Sequence, residues 1–173
     1  MKRTVWIWQL VGFAITSIVG TLLHFLYDFT NKSVWVAPFS GVNESTFEHM
    51  KLLFWPMLIF AFIESFFFRG YSGFWWIKLF GISLGLALIP ILFYTYNGAI
   101  GKSPDLVNIA IFFISAALAY IFEARLLKRN FTIKNPCFAI CILCIFGLMF
   151  TVFTFRTPRI GIFEDPITHL YGL

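Results

Sequence analysis

The sequence predicts an all-α protein, an integral membrane bundle of five transmembrane helices with the N-terminus cytoplasmic and the C-terminus outside. Three observations carry that expectation. Hydrophobic residues make up 60% of the chain and charged residues 12%, against roughly half and a quarter in a soluble domain. Phenylalanine occurs 24 times in 173 residues, more aromatic surface than so short a chain hides from water by itself. Five apolar runs each approach the about 20 residues that a helix needs to cross hydrocarbon.

The spans are expected at residues 5–27, 50–68, 74–96, 106–122 and 136–155. All belong to a single domain, residues 1–173. The runs are continuous and do not alternate, which excludes a barrel, and backbone groups in lipid find partners only within a helix. The first span follows Lys2 and Arg3 but is too long for a signal-peptide core and lacks a small-residue cleavage site, so it is read as a retained anchor. Trp6, Trp8, Trp75 and Trp76 fit an aromatic belt at the headgroups. In the third span Gly81 and Gly85 form a small-x-x-x-small pattern that admits a neighbouring helix, and Pro90 is a point of bending. The fifth span contains Cys137, Cys141 and Cys144, with neither a disulfide framework nor a paired zinc pattern; they are expected to be small buried residues.

Orientation follows from lysine and arginine near the span ends. Placing the N-terminus inside leaves Lys2, Arg3, Arg69, Lys78, Arg125, Lys128, Arg129 and Lys134 inside. Outside are Lys32, Lys51, Lys102, Arg156 and Arg159. The dense basic connection 125–134 decides the direction. The net charge of +5 is spread along the chain, not gathered in a stripe with stacking aromatics, which excludes a nucleic-acid partner.

The outer loop, residues 28–49, concentrates polar chemistry. Ser45 and Glu48 match a capping box in which the hydroxyl accepts a first-turn amide and the glutamate reaches back to the Ser45 amide. Asn43, Glu44 and His49 are left over. His24 and Asp28, four residues apart, share one face at the outer end of the first span. His24, Asp28, Glu44 and His49 are therefore candidate ligands of a divalent metal such as zinc or manganese, with Asn43 and Asp165 as further ligand-binding candidates. Structural alternatives stand beside these: a histidine in contact with headgroups, and a His24–Asp28 hydrogen bond that holds the loop. Tyr94 and Tyr96 are candidate walls of the same site. The tail, residues 156–173, is too short and broken to span again and is expected to fold back over the outer helix ends.

Glu64 and Glu123 lie near the inner ends of their spans and need a partner or a proton. Ion pairing between helices, with Arg69 and Arg125 near in sequence, is the economical expectation, and a proton or cation path through Glu64 the sharper one.

The loop motif GVNESTFEHMK, residues 41–51, and the tail motif FEDP, residues 163–166, followed by Tyr171 and Gly172, resemble a bacterial family of small multi-span membrane proteins that carries a domain-of-unknown-function label. The resemblance covers nearly the whole chain. It implies a bacterial inner (cytoplasmic) membrane and names no reaction. Thr157 stands where that pattern has a second proline, and the pattern has a glycine near His169, which ranks His169 below the other ligand candidates.

Three functions follow as expectations. The first is a polar outer cluster that binds a metal ion or a lipid headgroup, with metal-assisted hydrolysis or sensing as its use; whether it is an enzyme stays open. The second is a non-enzymatic accessory subunit packed against a larger membrane complex, or a homodimer. The third is a small proton- or cation-coupled transporter using Glu64, which the lack of internal symmetry disfavours.

Overall fold

The computed structural model describes residues 2–129 and 131–173. Among the described residues it is all-α, with α1 (Lys2–Phe29), α2 (Thr46–Ser65), α3 (Phe74–Ala99), α4 (Asp105–Lys128), α5 (Cys137–Phe155) and a short 3-10 turn, Gly161–Phe163, in the tail. All five helices are long and apolar enough to cross a membrane.

Every helix differs from its expected bounds by one to six residues, and two of the larger differences have identifiable reasons. α2 begins four residues early because Ser45 caps it, and α4 runs on to Lys128, where Arg125 and Lys128 in its last turn complement the negative end of the helix dipole.

α1 shows the packing logic most clearly. Its buried stripe is Val5, Gln9, Gly12, Thr16 and Gly20, small or polar at helical spacing, while Leu10, Ile18 and Leu22 are largely exposed. A water-soluble helix would be arranged the other way round. Small residues let the helices close up: Gly12 faces Phe60 and Tyr120, Gly20 faces Phe112 and the Leu52 carbonyl, and Gly81 and Gly85 receive Glu123 and Ala119 of α4. The small-x-x-x-small pattern thus serves an internal neighbour. An apolar exterior around a small and polar seam suggests a membrane protein.

α2 touches all four other helices and buries Leu53, Phe54, Met57 and Phe60 in the main core, together with Ile82, Tyr120 and Phe150. A second cluster, Val5, Phe74, Ile77, Ala124 and Leu127, closes the end of the bundle that carries the N-terminus. The opposite end, which carries the loop between α1 and α2 and the tail, is called the loop end below.

The cysteine expectation is corrected. Cys137, Cys141 and Cys144 are all exposed. α5 buries Ala139, Leu143, Gly147, Phe150 and Thr154, and the cysteines fall outside that stripe.

Candidate metal centre at the loop end

The loop before α2 is pinned at three places, so its polar side chains are presented by a fixed backbone. Ser40 Oγ donates to the Leu23 carbonyl at 2.6 Å and accepts the Tyr27 amide at 2.8 Å. Lys51, fully buried, reaches the Ala37 carbonyl at 2.7 Å, Thr154 Oγ1 at 3.1 Å and Glu48 Oε2 at 2.6 Å. Trp55 Nε1 donates to the Pro38 carbonyl at 2.9 Å.

The capping box forms by half. Ser45 Oγ accepts the Glu48 amide at 3.4 Å. Glu48, however, does not return to the Ser45 amide: it takes the Val42 amide at 2.9 Å and pairs with Lys51. The Ser45 amide goes to Asn43 Oδ1 at 2.9 Å, and Asn43 Nδ2 donates to the Gly172 carbonyl at 3.0 Å. A buried lysine claims the carboxylate, and an asparagine replaces it at the cap.

Glu44, held between Asn43 and Ser45, stands between two imidazoles. Its Oε1 lies 3.5 Å from His24 Nε2 and its Oε2 lies 3.7 Å from His49 Nε2. One ligand atom from each residue can be chosen so that all lie within 4.8 Å of one another. The donors of a tetrahedral zinc, bonded at about 2.0–2.2 Å, stand about 3.3–3.5 Å apart; the two imidazoles approach different oxygens of Glu44, so a small inward movement of the side chains would bring one atom from each to that spacing.

Chemistry favours a cation between them. His49 Nδ1 lies 3.0 Å from the Ser45 carbonyl, which only accepts, so Nδ1 carries the proton. The neutral ring then turns the Nε2 lone pair toward the Glu44 carboxylate, and two acceptors face each other until a proton or metal ion lies between. A backbone carbonyl that orients the far nitrogen of a histidine is the usual support of a metal-bound imidazole. All three side chains are partly exposed, at 29% for His24, 42% for Glu44 and 21% for His49, which leaves access for a ligand.

The other expected site residues are elsewhere or otherwise engaged. Asp28 is exposed and outside the group; its backbone carbonyl accepts the Asn31 amide where the helix ends, and the chain reversal there brings Glu44, not Asp28, to His24. Asn43 is spent on Ser45 and Gly172. Asp165 is buried and accepts the Ile167 and Thr168 amides at 2.8 and 3.4 Å, building a turn. Tyr94 comes against Gly161 of the tail, and neither Tyr94 nor Tyr96 lines the cavities described next.

Two adjoining cavities meet at Glu44 and His49. The larger, about 410 Å³, runs from His24, Glu44 and His49 between α1 and α4, past Thr21, Phe25, Ile109 and Phe113. The other lies between α3, α4 and the tail, lined by Phe93, Asn97, Lys102, Ser103 and Pro166. Asp105 and Asn108 border both. Sequence reasoning missed this second wall. Its signal is the polar run between α3 and α4: Ser103 donates to Asn108 Oδ1 at 2.7 Å and its amide to Asn97 Oδ1 at 3.0 Å.

The tail folds over the loop end. Phe163 is buried with its ring 4.5 Å from Phe47 and 5.6 Å from Phe153, centroid to centroid. Glu164 Oε1 and Oε2 bond His169 Nδ1 at 2.7 Å and the Tyr171 hydroxyl at 2.9 Å. Those hydrogen bonds hold the Glu164 carboxyl below its ordinary value of 4.5.

At the opposite end, Glu64 and Glu123 are completely buried and both contact Lys78, while Gln9 Nε2 donates to Glu64 at 2.6 Å. Ion pairing between helices is found, but through Lys78. Arg69 lies over the Phe66 ring and Arg125 is exposed. Lysine one turn into α3 is the cation that the crossing of α2, α3 and α4 encloses.

Fold and site together define an all-α protein of five helices long and apolar enough to span a membrane, with a His–Glu–His group at one end. No curated protein and no solved structure matches the chain. The chain belongs to a family of unknown function, DUF6512, whose model matches residues 2–173.

Proposed function

We propose that this is a multi-pass protein of a bacterial cytoplasmic membrane, N-terminus inside, that binds a divalent metal at its outer end through His24, Glu44 and His49. The observation that carries the reading is the Ser45 carbonyl fixing the His49 tautomer so that the Nε2 lone pair meets Glu44. Two imidazoles and one carboxylate suit zinc. Three protein ligands leave a fourth position open, the pattern of catalytic zinc sites, where the metal supplies a Lewis acid and an acidic bound water. Metal-assisted hydrolysis is the reaction class this donor set supports.

Metal analysis of the purified protein tests it. About one zinc per chain is expected, and a His24→Ala/His49→Ala variant should lose it; equal, negligible metal in both removes the reading.

A further inference from the structure

The larger cavity changes character along its length. Asp105 and Asn108 of α4 lie at its polar end with Glu44 and the two histidines, and Ile109 and Phe113 at its apolar end. From Asp105 to Phe113 is about 12 Å along a helix at 1.5 Å per residue, so polar donors give way to hydrocarbon within two turns. On α1 the cavity runs from His24 back to Thr21 and Gly20, where no charged side chain remains. The apolar end is open at the side, where Ile109 is 54% exposed. A small water-soluble ligand needs no such flank.

Charge selects the head. A divalent ion, with Lys102 in the adjoining cavity, outweighs Glu44 and Asp105 by one positive charge. Resting on the metal reading above, we infer that the site takes an anionic phospholipid, which enters sideways between α1 and α4, places its phosphate at the metal on the side of the adjoining cavity that holds Lys102, and lays its acyl chain against Thr21, Ile109 and Phe113. The head-to-chain axis of such a lipid follows the polar-to-apolar axis of the cavity.

The test uses zinc-loaded full-length protein in detergent micelles doped with phosphatidylglycerol or phosphatidylcholine, with bound lipid and zinc both counted by native mass spectrometry. Retention of phosphatidylglycerol about tenfold above phosphatidylcholine is expected. Thr21→Trp/Ile109→Trp, which fills the apolar flank, should lower retention about tenfold while zinc stays bound, since neither residue is a ligand. Glycerol phosphate, the same headgroup without chains, should not displace the lipid. Wild type that holds zinc but shows no preference, a filled variant that retains lipid normally, or displacement by glycerol phosphate overturns the lipid inference and leaves the metal reading standing. Wild type without zinc removes both.

Discussion

Asn43 holds Gly172, 129 residues further along the chain, by donating its side-chain amide to the Gly172 carbonyl at 3.0 Å, while its side-chain oxygen accepts the Ser45 amide at 2.9 Å. One amide thereby joins the loop, the start of α2 and the end of the tail, with Glu44 next to it in sequence. Gly172 meets this geometry with φ +73°, and an added Cβ there would strike Thr157.

Asn43→Ala should weaken zinc binding about 10–100-fold although Asn43 is no ligand, which is the usual effect of losing a residue that orients ligands. Gly172→Ala should act in the same direction by displacing the carbonyl. Calorimetric zinc titration checks both; affinities equal to wild type would show that Glu44 is placed without the tail.

Lys78→Met should strip two buried carboxylates of the cation that both contact and cost about 3–5 kcal/mol. The triple change Lys78→Met, Glu64→Gln, Glu123→Gln removes the charges together and should recover much of that loss. Unfolding midpoints in mild detergent, compared across the three proteins, decide it. A single variant as stable as wild type would mean that the pairs contribute little.

Gly20→Ala should destabilise the bundle by about 1–3 kcal/mol through overpacking, because its methyl group would meet the Phe112 ring at 2.6 Å and the Leu52 carbonyl at 3.0 Å. Gly98, where nothing lies within 4 Å of an added Cβ, serves as the control, and its alanine variant should melt within about 0.5 kcal/mol of wild type. The same thermal midpoints read both.

Acid should loosen the tail. Hydrogen bonds from His169 and then Tyr171 depress the folded Glu164 value below 4.5, so the unfolded tail binds the proton more readily than the folded one. The contribution is full above 4.5 and is lost as pH falls through the lower folded value. Protease protection of the tail should therefore hold steady near neutrality and decline only under stronger acid. Glu164→Gln should flatten that decline.

The five helices were legible because each is a continuous run of about 20 apolar residues, long enough to cross a membrane and, in lipid, with no option but helix. Ser45 as a cap was legible for a similar reason, since its partner lies three residues away. Of the site, His24, Glu44 and His49 were readable as ligand types, whereas Asp28 looked equally suited by its spacing from His24. Asn97, Lys102, Ser103 and Asn108 form a polar run in and beside the α3–α4 connection, but without ligand-like spacing that run did not point to this site.

Sequence alone determined the number of helices, their being apolar enough to cross a membrane and the gathering of polar groups into the loop before α2, because each depends on local composition. Only the tertiary structure decided that Lys78 serves both Glu64 and Glu123, that Glu48 turns to Lys51, and that Glu44 stands between two histidines. Those pairings join residues on different elements or choose among neighbours, and interactions that fall off within a few ångströms are settled by helix phase and crossing, which no linear spacing encodes.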